Sequence, residues 1–349
     1  MRKKSISNGI SVALRLSVGL ATGILVLSVS VVLNAGGFHS HKGRIWKGES
    51  PVCGDTITAD AFLPTDLDCS GHSGGAVLTL QEGASLNMNG KRIIGNSGIN
   101  CIDIRGDGAQ IRGGTVAQCG VGIRVRSDRN NITSVSVAGS NGIGIRVDGN
   151  ENKITSVKVS DSNDNGIRIN GNENRITSAK VSGSEDRGIR IDGNDNLILW
   201  CTVTHNHTQG IKINGGNGNR IVSNKIKDSC RDGIEIEGGS NNMIIYNRVE
   251  YNGNPVTCAD FEEEYRPWYY AGIDVLIGSE NNKIKQNHAG CNLGCQGSND
   301  LPCTAHERDF WDENVDGSGN NNSNNEWENN SIACENSFPE YSPNPDPVD

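Results

Sequence analysis

The chain has 349 residues, 45 of them Gly and 43 Asn, with hydrophobic residues at 34 %, aromatics at 5 % and a formal charge of −9. So few apolar and aromatic side chains argue against a helical bundle or a doubly wound domain, and nine Pro exclude a collagen or a Pro-rich linker. Gly and Asn at this level predict many tight turns.

Residues 1–35 open the chain as a signal peptide or signal anchor. Arg2, Lys3, Lys4 and Arg15 precede the apolar run 16–33, and the small residues Ala35, Gly36 and Gly37 follow it. In either case the remainder is exported, and no other membrane segment is expected. Removing residues 1–35 takes four cations and no anion, so the remainder carries −13. The charge is uneven: 105–231 hold 18 Lys and Arg against 12 Asp and Glu, whereas 232–349 hold 5 against 22. A polyanion fits the middle of the chain, not the whole surface, and no nucleic acid is expected. All eleven Cys lie in the exported part at spacings that match no zinc finger, which favours disulfides. The odd count leaves at least one thiol unpaired or intermolecular, and Cys201, on a core position, is the candidate.

Residues 36–100 read as an N-terminal cap with the first coils. From 101 to 335 the chain repeats itself. The motif G-I-x-I recurs with its first Ile at 123, 145, 167, 189, 211, 234 and 273, and Cys101-Ile102-Asp103-Ile104 fits the same slot. A second column follows at Ile111, Ile132, Ile154, Ile176, Ile198, Ile221, Ile244 and Ile284, with Trp327 last. Two residues before it stand Asn130, Asn152, Asn174, Asn196, Asn219, Asn242, Asn282 and Asn325, and five after it a third apolar column from Val116 to Ile332. Each unit of about 22 residues is thus three short stretches of alternating β-branched residues, too apolar-poor to fold alone. Stacked units share one core. The expected fold is all-β, a parallel β-helix of about 8–10 coils, with the Asn column in a turn where Asn tolerates positive φ. Two long insertions interrupt it at 250–271 and 288–324, and 336–349 read as a disordered acidic tail.

The G-I-x-I and N-x-I-x-x-N-x-I signatures, the latter at Asn282-Lys283-Ile284-Lys285-Gln286-Asn287, resemble the coils of right-handed parallel β-helix proteins of the pectin-lyase-like superfamily. Cys53-Gly54-Asp55-Thr56-Ile57-Thr58, with Asp66-Leu67-Asp68-Cys69, resembles the capping coils of secreted members. The resemblance implies a right-handed solenoid and leaves function open, because lyases, hydrolases, epimerases and non-enzymes share it. The Asp-Pro-His of alginate epimerases and the Gly-His-Gly and paired Asp of polygalacturonases are missing.

In G-I-x-I the Ile residues point inward and x outward. Up the stack x reads Asp103, Arg124, Arg146, Arg168, Arg190, Lys212, Glu235 and Asp274. Five like charges about 4.8 Å apart require compensation. Asp148 and Asp192 supply it in one reading. In the other, an acidic polysaccharide lies along Arg124, Arg146, Arg168, Arg190 and Lys212, with Trp268 in the first insertion as a sugar platform. Where the column turns acidic, Glu235 and Asp274 are candidate general acid and base. With Asp232 and Glu237 they are also candidate Ca²⁺ ligands. Tyr269, Tyr270, His288 and Lys212 are candidate bases for a lyase or epimerase. The expected function is an exported protein that binds, and cleaves or epimerises, an anionic uronate or sulfated glycan. The alternatives are a non-catalytic surface or matrix protein and a glycoside hydrolase using Glu235 and Asp274.

Overall fold

The computed structural model describes residues 12–21, 24–33, 44–45, 48, 50–253, 271–290, 292, 309–312, 314 and 324–332, with the backbone alone for 12–21, 24–33 and 44–45. Trp268, Tyr269 and Tyr270, most of both insertions and the tail 336–349 lie outside the described residues.

The described chain is all-β, a right-handed parallel solenoid of about 9 turns. Each G-I-x-I stretch adds a strand to a first sheet running from Arg44–Ile45 to Phe310–Asp312. The strands after the Asn column, such as Lys153–Thr155 and Arg175–Thr177, build a second sheet. Those five residues on, such as Lys158–Ser160 and Lys180–Ser182, build a third. Register is unshifted: Ile145 pairs with Ile167 and Ile167 with Ile189. A repeat of near-constant length therefore stacks like on like, and Ile102, Ile123, Ile145, Ile167, Ile189, Ile211, Ile234 and Ile273 are all fully buried in one continuous core.

Two local devices make the coil turn. From Gly122 to Gly272 a Gly stands before the first Ile of each motif because nothing larger fits: a Cβ at Gly166 would lie 2.4 Å from Val181 Cγ1 and 2.8 Å from Gly188 O. The Asn column is a buried ladder. Asn152 N and Nδ2 both donate to Asn174 Oδ1, at 2.9 and 3.0 Å, and Asn174 Nδ2 donates to Gly149 O at 3.0 Å. The positive φ expected of these Asn belongs instead to the residue before each of several of them, Arg129, Glu151, Glu173, Asp195, Asn241, Asn281 and Asn324. The chain bends there, which turns the next side chain inward, so the Asn donates and accepts along the axis.

At the N-terminal end Cys53–Cys69 and Cys101–Cys119 form disulfides, and Cys230 is disulfide-bonded too. Such bonds persist in oxidising compartments. Cys201 is a buried free thiol, as its core position requires, and burial pushes its pKa up to about 11. The apolar run pairs as an antiparallel ribbon, Val12–Ala21 with Ile24–Leu33, that shares no pairing with the solenoid. Among the described residues no helix is long and apolar enough to cross a membrane.

Candidate functional site

The outward column of the first sheet is assembled as the spacing predicts. Asp103 pairs with Arg124, then Arg146, Arg168, Arg190, Lys212, Glu235, Asp274 and Trp311 follow in register. Each Arg is anchored. Arg124 and Arg146 place Nε 3.0 and 2.8 Å from the two oxygens of Asp148. Arg168 places Nε 3.0 Å from Asp192, and Arg190 holds the same carboxylate at 2.8 Å. Asn170 and Asn214 donate to these carboxylates at 2.6 and 2.9 Å. Partial burial raises the pKa of Asp148 and of Asp192, but the hydrogen bonds and charges of the flanking Arg and Asn outweigh it, and both carboxyls sit below their ordinary value. The ion-pair ladder is thus present. It leaves the four Arg side chains 22–31 % exposed.

Lys212 ends the cation run and is buried. Its Nζ lies 2.5 Å from Glu235 Oε1 and also contacts Glu237. Beyond it the outward positions become a carboxyl cluster. Asp232, Glu235 and Asp274 are 3, 5 and 4 % exposed. Burial, then the charges of Asp274 and Glu235, push the pKa of Asp232 well above its ordinary value, although Ala271 N donates to it at 2.5 Å. Outward carboxyl groups on a strand face ordinarily stand in water; here Glu235 and Asp274 are enclosed beside Asp232, which favours its protonated form.

The structure also brings in Gln209, which sequence reasoning missed. Its Nε2 donates to Glu235 Oε2 at 2.5 Å, and its Oε1 is buried without a hydrogen-bond donor among the described residues. The available signal was its place before Gly210, the slot that Asp232 fills before Gly233 one coil on. His288 is elsewhere, on the third sheet between Arg248 and Ser331, with Nε2 3.5 Å from Glu250. His205 and His207 face Asp228 and Glu185 at 3.7 and 2.6 Å. Among the described residues no three of His, Cys, Asp and Glu are arranged to hold a metal ion. Lys212 Nζ stands between Glu235 and Glu237, two of the four residues read as calcium ligands.

A family model described as a right handed beta helix region matches residues 141–307. No curated protein matches the sequence. Among solved structures, the enzymatically active domain of a bacteriophage CBA120 tailspike protein is 14 % identical, with a TM-score of 0.48 over 67 % of this chain and 38 % of that one. The periplasmic alginate epimerase AlgG is 13 % identical, with a TM-score of 0.52 over 80 % of this chain and 71 % of that one. The tailspike of E. coli bacteriophage HK620, solved with a pentasaccharide, is 13 % identical, with a TM-score of 0.50 over 67 % and 50 %. The chain therefore spans well under two thirds of either tailspike, and AlgG and the HK620 tailspike share its fold.

Proposed function

We propose that this right-handed parallel β-helix protein works outside the cytoplasm, binding an acidic polysaccharide along the first sheet and performing acid–base chemistry on it at Asp232, Glu235 and Asp274. The observation that carries this reading is the enclosed carboxyl cluster at the end of a row of anchored cations. Arg124, Arg146, Arg168 and Arg190, fixed through Asp148 and Asp192, present pre-oriented guanidinium groups to successive acidic groups of the glycan. A buried carboxyl group that favours its protonated form, as Asp232 does, serves as general acid, and an ionised neighbour as general base. The base takes the proton from the sugar carbon beside the uronate carboxyl. The electron pair then either expels the glycosidic oxygen, which receives the acid's proton, or is reprotonated from the opposite face. Solved structures of the same fold include an alginate epimerase and a pentasaccharide-bound tailspike, which supports a polysaccharide ligand for this one. Lys212 already sits between two of the presumed calcium ligands, so no step is routed through calcium. A calcium titration read by melting temperature tests that, and a clear rise would overturn it.

Incubation with a panel of uronates and sulfated glycans distinguishes the outcomes. A new ultraviolet chromophore marks elimination and an inverted sugar carbon marks epimerisation. Glu235→Gln and Asp274→Asn should each lower product formation by about a hundredfold with little change in Kd. New reducing ends without a chromophore would mark hydrolysis instead. That second reading rests on Glu235 and Asp274 being direct neighbours on adjacent strands, where two carboxyl groups can flank one glycosidic bond. No product from any glycan would leave a binding or matrix protein. Replacing Arg146, Arg168 and Arg190 together by Gln tests the cation row: affinity for polyuronate should fall steeply at low salt, and equal affinities would make the row an ion-pair ladder alone.

A further inference from the structure

Each coil turns from the second sheet to the third through one residue in the left-handed region. Along the stack this apex reads Ser134, Ser156, Ser178, Trp200, Ser223, Tyr246, Gln286 and Asn329, with φ between 53° and 58°. Six are small or polar. Trp200 and Tyr246 are bulky aromatic residues in a conformation such side chains rarely adopt. Neither ring is compensated by burial, since they are 61 and 56 % exposed. Beside them on the second sheet Leu199, Val222 and Ile245 stand in register and partly exposed. An apolar strip with two strained, solvent-facing rings has no account in the packing of the solenoid.

The charges around this strip differ from those of the first sheet. Lys153, Arg175 and Arg220 on the second sheet and Lys158, Lys180 and Lys225 on the third are all exposed. None of the six has an ion-pair partner among the described residues, whereas every Arg from 124 to 190 in the first-sheet column holds an Asp. Lys158 and Lys180 are direct cross-strand neighbours, and like charges so placed repel unless something compensates them.

We propose that this corner is a second glycan-binding site, separate from the carboxyl cluster, for an extended acidic polysaccharide lying along the solenoid axis. Trp200 and Tyr246, two coils or about 9.6 Å apart, stack on alternate sugar rings, and the flanking Lys and Arg take the acidic groups. The cations lie on both sides of the apex. A linked uronan turns alternate rings over and so offers carboxylates to both edges, whereas a nucleic acid strand carries its phosphates on one edge. The glycan is therefore favoured over a nucleic acid.

The test uses the full chain and titrates tryptophan fluorescence with polygalacturonate, alginate, heparin, neutral dextran and a single-stranded oligonucleotide. Wild type should bind at least one acidic glycan, more weakly as salt rises, and should ignore dextran. Trp200→Ser with Tyr246→Ser gives the apex the residue that neighbouring coils use, so the melting temperature should hold or rise. Affinity for the acidic glycan, followed by isothermal calorimetry, should fall at least tenfold. Replacing Lys158, Lys180 and Lys225 by Gln should lower it similarly and flatten its salt dependence. Both losses should appear undiminished when Arg146, Arg168 and Arg190 are also replaced by Gln, which separates this site from the first-sheet cation row. Unchanged glycan affinity in the double variant, a fall in its melting temperature, or tighter binding of the oligonucleotide than of any glycan would each overturn the proposal.

Discussion

At the scale of single residues, the ladder Asn and the paired Asp show how position outweighs identity. Asn174 accepts from both the backbone N and the Nδ2 of Asn152 and donates to Gly149 O, all away from water. Asn174→Ala strands buried donors on Asn152 and should cost on the order of 3 kcal/mol, read as a lower denaturant midpoint at unchanged slope. The carboxyl groups titrate in opposite senses. Asp148 and Asp192 are held below the ordinary value of 3.8, so their contribution to stability is present above that value and is lost as pH falls through their lowered values. Asp232 is raised above 3.8, so its contribution is present below that value and is lost as pH rises through its raised value. Asp232→Asn keeps an acceptor for Ala271 N and removes the enclosed charge. Because a raised carboxyl costs stability as pH rises above its ordinary value, the variant should raise the melting temperature near neutral pH, with the gain vanishing on acidification; a gain that persists in acid would contradict the carboxyl cluster. Cys201, with its thiol pushed up to about 11, should resist alkylation in the native protein at mildly basic pH and react once unfolded, as peptide mass spectrometry will show.

At the scale of the coil, the dimensions leave no slack. Gly166→Ala pushes a methyl against Val181 and the Gly188 carbonyl and should destabilise by roughly 1–3 kcal/mol. Ile167→Asp puts a charge among fully buried neighbours that cannot pair it and should exceed about 4 kcal/mol, enough to prevent soluble expression. An unaltered melting temperature would rule out the inward assignment of that Ile. The first-sheet cations are legible in the repeat because x in G-I-x-I recurs every coil. Their pairing was one of two readings the repeat left open, since Asp148 and Asp192 occupy the next outward position. The carboxyl cluster was half legible: Glu235 and Asp274 fall in the same column, but Gln209 and the enclosure of all three acids arise only when strands 23 to 39 residues apart are brought side by side.

At the scale of the whole molecule, each coil contacts mainly its neighbours, so stability is distributed along the axis and the ends matter most. Cys53–Cys69 closes the first turns across a sequence separation of 16. Cys53→Ser with Cys69→Ser should cost about 3 kcal/mol locally and loosen residues 50–98 in hydrogen exchange, while the middle coils keep their protection. Uniform deprotection would mean that the solenoid unfolds as one unit instead.

The amino-acid sequence by itself determined the fold, because a period of 22 residues with three inward columns has only a stacked solution. It also determined the outward column, the free Cys201 and the charge boundary at Glu235. Tertiary structure alone decided which charges are already satisfied. In the first sheet a carboxylate two residues along the strand reaches two Arg at once, across a strand spacing of about 4.8 Å, so the most conspicuous cations of the sequence are the paired ones. It also decided that Trp200 and Tyr246, scattered in the sequence, share one exposed edge, because the apex of every coil falls on the same line.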